Sequence, residues 1–107
     1  MDHVPAAARL FGVLAHPGRL GILVLLGRTT ERSVTELQDA LGLERTLLQH
    51  QLRILRESQL VRVTRDGRHK RYALADHHVG HIVRDALAHV AEPAEPAHDV
   101  PPARERE

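Results

Sequence analysis

The spacing of apolar residues changes once between residues 33 and 74, and this change constrains the fold more than any other feature. In RTLLQHQLRILRESQL, Leu48, Leu52 and Leu55 recur every three or four positions, as on one face of a helix. From Val61 onward, apolar and polar residues alternate, which is typical of a half-buried strand. The pattern therefore predicts helices followed by a short antiparallel hairpin.

Two short helices are predicted before the hairpin. Ser33 precedes Glu36 by three residues, the spacing of a capping box, and opens the segment VTELQDAL, which ends at Gly42. The second helix follows the link GLE and begins near Arg45. Its apolar stripe faces inward and its outer face is polar and basic. Two helices joined in this way form a helix-turn-helix pattern.

The alternating segment LVRVTRDGRHKRYALA predicts a β-hairpin wing. Asp66-Gly67 is a strong signal for a two-residue turn. Basic residues crowd the tip of this hairpin. Its length and charge suit contact with a nucleic-acid backbone.

Helices are also predicted on both sides of this region. They cover about residues 5–15, 17–27 and 76–91, the last with its apolar residues on one face. We predict a mainly α fold with a β-hairpin wing, a winged helix-turn-helix domain over residues 1–92. Residues 93–107 hold four of the six prolines and are predicted to be a disordered tail.

Composition excludes several classes of protein. The chain of 107 residues has no cysteine, so disulfides and thiolate metal sites are excluded. No apolar run approaches 18 residues, and the start of the chain lacks an apolar signal-peptide core. The sequence shows neither a nucleophile–base motif nor a phosphate loop. We expect a cytoplasmic protein that neither enters membranes nor acts as an enzyme.

A surface for double-stranded DNA is predicted from the second helix and the wing. Between Arg45 and Arg71 there are eight Arg or Lys residues against two acids. Gln and Arg can read adenine and guanine, Leu can touch a thymine methyl group, and wing cations can contact phosphates. The predicted DNA-binding residues are Arg45, Thr46, Leu47, Gln49, His50, Arg53, Arg65, Arg68 and Lys70.

The same residues resemble a known family. LGLERTLLQHQLRILRESQLVRVTRDGRHKRYAL and, upstream, LAHPGRLGIL are similar to ArsR/SmtB winged-helix regulators over about residues 8–92. The resemblance implies a homodimer, joined through its terminal helices, that places two recognition helices in successive major grooves. The family usually has Ser at position 49 and Gly at position 59, where this chain has Gln. Gln59 lacks the easy left-handed cap that Gly provides.

Histidines cluster on the last predicted helix. At 100° per residue, the face that carries His78 also carries His81, Asp85, His89 and Glu92. His78 and His89 lie about 16 Å apart along the axis, so one ion, with bonds of about 2 Å, cannot join them within one helix. An antiparallel copy of the helix would bring residues 76 and 78 of one chain beside residues 89 and 92 of the other.

The resemblance implies the same ligand set. Family members that sense metal on the C-terminal helix carry D-x-H, ten residues, then H-x-x-E or H-x-x-H. This chain has Asp76, His78, His89 and Glu92 in that register. The resemblance therefore implies two equal sites between the chains of a dimer.

The identity of the metal is less constrained. Four nitrogen and oxygen ligands suit Zn(II), whereas Ni(II) and Co(II) prefer more ligands, which spare histidines could supply. The opening MDH also suits square-planar binding of Ni(II) or Cu(II). We rank Ni(II) slightly ahead of Zn(II), with Co(II) also open. The additional candidate ligands are His3, His77, His81 and His98.

Two other functions stay open at this point. The chain could be a winged-helix regulator controlled by protonation, another non-metal signal or a co-regulator protein. It could instead be a histidine-rich protein that buffers metal. The sequence decides neither the operator nor whether metal releases or promotes DNA binding.

Overall fold

The computed structural model describes residues 2–93, which form five helices and a small antiparallel sheet. The predicted tail therefore lies outside the described residues, apart from its first residue. In chain order the elements are α1 (Val4–Leu14), α2 (Pro17–Gly27), β1 (Arg32–Ser33), α3 (Val34–Leu41), α4 (Arg45–Glu57), β2 (Val61–Asp66), β3 (His69–Leu74) and α5 (His77–Ala91). This order confirms the winged helix-turn-helix fold.

The core is aliphatic and centres on α2. Ile22 and Leu23 are completely buried there. The stripe on α4 is buried as predicted, with Leu48, Leu52 and Leu55 at most 1% exposed. Leucine side chains thus fill the space that a chain with one Phe and one Tyr cannot fill with aromatic rings.

No helix among residues 2–93 is long and apolar enough to cross a membrane by itself. The first two helices reach that length and composition only together, and the chain bends by 94° between them.

The helix-turn-helix is fixed by caps. The Ser33 hydroxyl accepts from the backbone N–H of Glu36, and the Glu36 carboxylate accepts from the N–H of Ser33, which confirms the capping box. Gly42 ends α3 in the left-handed region, at φ 68°. Glu44 was not predicted as a cap, yet its carboxylate accepts from the N–H of Leu47 at 3.0 Å. Backbone hydrogen bonds lower the pKa of both Glu36 and Glu44.

The wing is a three-stranded sheet in the order β1-β3-β2. Val61 pairs with Leu74 and Val63 with Tyr72, so the apolar residues of the two strands lie opposite each other. The predicted turn was wrong by one residue, because Asp66 pairs with His69 and the chain reverses through Gly67 and Arg68. Of the two turn residues, only Gly67 has a positive φ, 65°, which suits the first central position of a type II′ turn.

The C-terminal end of α4 is closed by a left-handed residue. Gln59 has φ 62°, the one positive φ outside glycine among the described residues. The N–H of Leu60 donates to the carbonyl of Leu55, and the N–H of Gln59 donates to the carbonyl of Arg56. This is the Schellman arrangement, in which Gly usually occupies the left-handed position.

Replacing Gln59 with glycine is expected to stabilise the protein by about 1 kcal/mol, because a side chain in the left-handed region costs more than the added flexibility of Gly. The midpoint of urea unfolding, at fixed protein concentration, measures the change. Gln59→Ala is the matched control and should bring no gain. A glycine variant no more stable than the alanine variant would show that position 59 is unstrained.

Candidate DNA and metal interfaces

The outer face of α4 is exposed along its whole length. All six predicted residues on this helix are exposed: Arg45, Thr46, Leu47, Gln49, His50 and Arg53. Leu47 is 45% exposed. An apolar side chain among donors and cations matches the mixed edge of a major groove, where thymine presents a methyl group.

A basic cleft of about 670 Å³ separates α4 from the wing and the start of α3. Five of the nine predicted DNA-binding residues line it: Arg45, Gln49, Arg53, Arg68 and Lys70. Thr46, Leu47, His50 and Arg65 are exposed but do not line the cleft. Sequence reasoning missed Arg56 and Arg71, which also line it. Arg56 lies three residues after Arg53, and this spacing could have revealed it.

Arg71 anchors the wing rather than extending from it. Its Nε lies 3.3 Å from Glu31 and its Nη2 lies 3.5 Å from Glu36. The pairing of β1 with β3 adds backbone hydrogen bonds at the same place. Arg68 and Lys70 lie further toward the tip, and both are exposed. The wing therefore divides into a fixed base and an exposed cationic tip.

A buried polar contact sets the position of α4 relative to α2. Gln51 is 5% exposed, although its neighbours Gln49 and His50 face solvent. Arg19 of α2 donates from Nη1 to Gln51 Oε1 at 3.0 Å, and from Nε to the carbonyl of Val13 at 2.8 Å. One guanidinium thus connects α1, α2 and α4.

Removing these donors should destabilise the fold. Arg19→Met keeps the length of the side chain but leaves the Gln51 carbonyl buried and unpaired, which we expect to cost about 1–3 kcal/mol. Chemical unfolding of the variant measures this cost, with Arg28→Met at the exposed end of α2 as control. Adding Gln51→Met should recover part of the loss, since both polar partners are then gone. No loss for Arg19→Met would mean that the contact is dispensable.

The predicted metal ligands lie at the two ends of α5, and all four are exposed. Asp76 is the N-cap, and its Oδ1 accepts from the N–H of Val79 at 3.1 Å. Asp76 and His78 border a small cavity of about 240 Å³ beside α1. His89 lies in the last turn, and Glu92 is the first residue past the helix.

One chain does not bring these ligands together. Among residues 2–93, no group of three or more His, Asp or Glu side chains is close enough to hold a metal ion. This agrees with the axial separation of about 16 Å between His78 and His89. The extra candidates His3, His77 and His81 are exposed, and His98 lies outside the described residues.

Several apolar side chains on α1 and α5 are exposed to solvent. Val4 and Phe11 on α1 are 52% and 56% exposed, and Val90 near the end of α5 is 75% exposed. On α1, Leu14 is the one buried residue. An interface with another protein chain on these two helices would bury such side chains.

Sequence comparison connects these features to known proteins. Residues 16–63 match the family described as bacterial regulatory protein, arsR family. The SmtB repressor homologue of Synechocystis is 38% identical over 92 residues, which cover 86% of this chain and 69% of that protein. The chain belongs to the ArsR/SmtB family.

Two further relatives extend the comparison. The transcriptional repressor SmtB of Mycobacterium tuberculosis is 45% identical over 89 residues, 83% of this chain. The aligned region spans 65% of that repressor's length. The homodimeric winged helix-turn-helix DNA-binding domain Mb0332 of Mycobacterium bovis has a TM-score of 0.78 at 28% identity, covering 92% of this chain and 91% of that one. This ArsR/SmtB chain thus shares the fold of a homodimeric DNA-binding domain.

Proposed function

We propose that this ArsR/SmtB chain is a dimeric transcriptional regulator whose DNA binding responds to a metal ion held between subunits. The observation that carries the proposal is the placement of Asp76, His78, His89 and Glu92. They are exposed at opposite ends of α5, too far apart to serve one ion within one chain. A second, antiparallel copy of α5 would place Asp76 and His78 of one chain beside His89 and Glu92 of the other.

The DNA-binding half of the proposal rests on α4 and the wing. With α4 in the major groove, Gln49 and Arg53 reach base edges, and Leu47 meets a thymine methyl group. The exposed cations of the wing, Arg68 and Lys70, contact phosphates and so position the protein without reading sequence. The cleft between these two surfaces admits the DNA backbone.

The dimer is built from α1 and α5. Phe11 and Val90 are exposed in the single chain, and burying such side chains stabilises each by about 1.5–3 kcal/mol. We expect sedimentation at micromolar concentration to give the mass of two chains. Replacing Phe11 and Val90 with Ser should shift the equilibrium to monomers, whereas Leu47→Ser on the DNA-binding face should not. A wild-type monomer at that concentration would contradict the interface.

The donor set fits a borderline divalent metal. Two imidazoles and two carboxylates are nitrogen and oxygen ligands, which suit Zn(II), Ni(II) or Co(II), and the absence of cysteine argues against thiophilic ions. Asp76 can serve as cap and ligand together, because the capping hydrogen bond occupies Oδ1 and leaves Oδ2. A bound ion would supply a positively charged cross-link between the two copies of α5. Since imidazole binds metal only when neutral, acid should release the ion.

A gel-shift titration tests the whole proposal. The probe is the DNA upstream of the chain's own coding sequence, incubated with apo protein and then with Ni(II), Zn(II) or Co(II). A metal-dependent change in affinity, in either direction, supports the proposal. DNA binding that ignores all three metals would favour a regulator of another signal. Metal binding without any DNA binding would favour a metal-buffering protein.

A further inference from the structure

His77 and His81 form a second pair of histidines near the start of α5, beside the proposed intersubunit ligands. The rings of His77 and His81 lie in a T-shaped arrangement, with centroids 5.6 Å apart and an angle of 75° between their planes. Both side chains are exposed. They are four residues apart, so successive turns of one helix hold them side by side.

We propose that His77 and His81 form a second metal site, contained within one chain. An ion bound to one nitrogen of each imidazole at about 2.1 Å would hold the two ring centroids roughly 5 Å apart. The observed separation of 5.6 Å is close to this value. The helix fixes the spacing before the metal arrives, and water molecules complete the coordination.

This site is distinct from the intersubunit one. On the helical wheel, the direction midway between His77 and His81 lies about 90° from the direction midway between His78 and His89. His77 packs against His78, with ring centroids 4.1 Å apart, so the two sites are neighbours. The proposal needs no partner chain and does not depend on the function proposed above.

The surrounding charges leave the site open to a cation. Asp76 lies one residue before His77, and Asp85 lies four residues after His81. Both carboxylates are exposed. They offset the positive end of the helix dipole and the exposed side chain of Arg84. Two imidazole ligands select late divalent metals, in the affinity order Co(II), Ni(II), Cu(II), with Zn(II) below Cu(II).

Together with the proposed intersubunit site, this pair gives the chain two kinds of metal site. Two protein ligands bind more weakly than four, so the pair fills only at higher metal concentration. A dimer would then take up two ions tightly and two more weakly, and its uptake of metal would have two phases.

Zinc titration in a His89→Asn background tests the pair. This substitution removes one ligand of each intersubunit site, at the C-terminal end of α5, and leaves residues 76–81 unchanged. Calorimetry counts zinc ions per chain, and NMR follows the histidine ring resonances. We expect one weakly bound zinc per chain, with the His77 and His81 rings shifting together.

Further substitutions identify the ligands. Adding His81→Gln should weaken the remaining zinc at least about tenfold, since half of the protein ligands are gone. Adding His78→Asn, or His69→Asn on the wing, should leave that zinc in place. Remaining zinc that depends on His78 rather than His81, or no zinc at all, would overturn the proposal. Loss of tight zinc on His89→Asn separately tests the intersubunit site, so either proposal can fail alone.

Discussion

Replacing Arg53 with alanine is expected to weaken binding to the cognate operator by about 5- to 150-fold, because a bidentate contact from Arg to guanine contributes about 1–3 kcal/mol. The side chain is exposed on α4 and lines the basic cleft. Fluorescence anisotropy with the operator and with single-base variants of it measures the loss. Discrimination at the contacted base pair should fall together with affinity.

Matched controls separate base contacts from phosphate contacts. Arg68→Ala and Lys70→Ala should weaken binding to all sequences alike, and each should lower the slope of log K against log salt by about 1. Arg62→Ala, exposed on β2 but outside the cleft, should change little. An Arg53→Ala protein with unchanged affinity and preference would mean that α4 sits in the groove in another register.

A homodimer carrying His89→Ala is expected to lose both tightly bound metal ions, not one of two. Each proposed site draws two ligands from one end of α5 and two from the other end of the partner helix, so the substitution damages both sites equally. Equilibrium dialysis of Ni(II) or Zn(II) at a concentration below that needed for the His77–His81 pair measures the loss. His69→Ala on the wing is the control and should keep both ions.

Elements whose signals are local were predictable from sequence. The capping box at Ser33 and the leucine stripe of α4 involve residues three or four positions apart, and the structure confirms both. Gln59 was noted as lacking the easy left-handed cap of Gly, and the structure shows that it nevertheless takes the left-handed backbone. Such features depend on backbone geometry over one or two turns, which sequence spacing encodes directly.

Features that depend on distant partners were missed. β1 has only two residues and exists because it pairs with Tyr72 and Arg71 across the sheet. The contact of Arg19 with Gln51 joins residues 32 positions apart. The hairpin turn was displaced by one residue because the register of the strands, with Val63 opposite Tyr72, overrode the preference of Asp66-Gly67 for the turn.

In the candidate metal site, too, local spacing was predictable and side-chain contacts were not. A helical wheel placed the donors of α5 on one face, and the structure finds all of them exposed. The ring contacts among His77, His78 and His81 depend on side-chain rotamers, which spacing alone does not give. The arrangement of ligands across two chains remains a prediction.

A mixed dimer tests whether each metal site is shared between two chains. One chain carries His78→Ala and the other carries His89→Ala, with different affinity tags so that the heterodimer can be purified. In the intersubunit arrangement, both lesions fall in one site and the other site keeps all four ligands. We therefore expect one tightly bound ion for the mixed dimer and none for either homodimer. Two tight ions in the His89→Ala homodimer, or none in the mixed dimer, would contradict it.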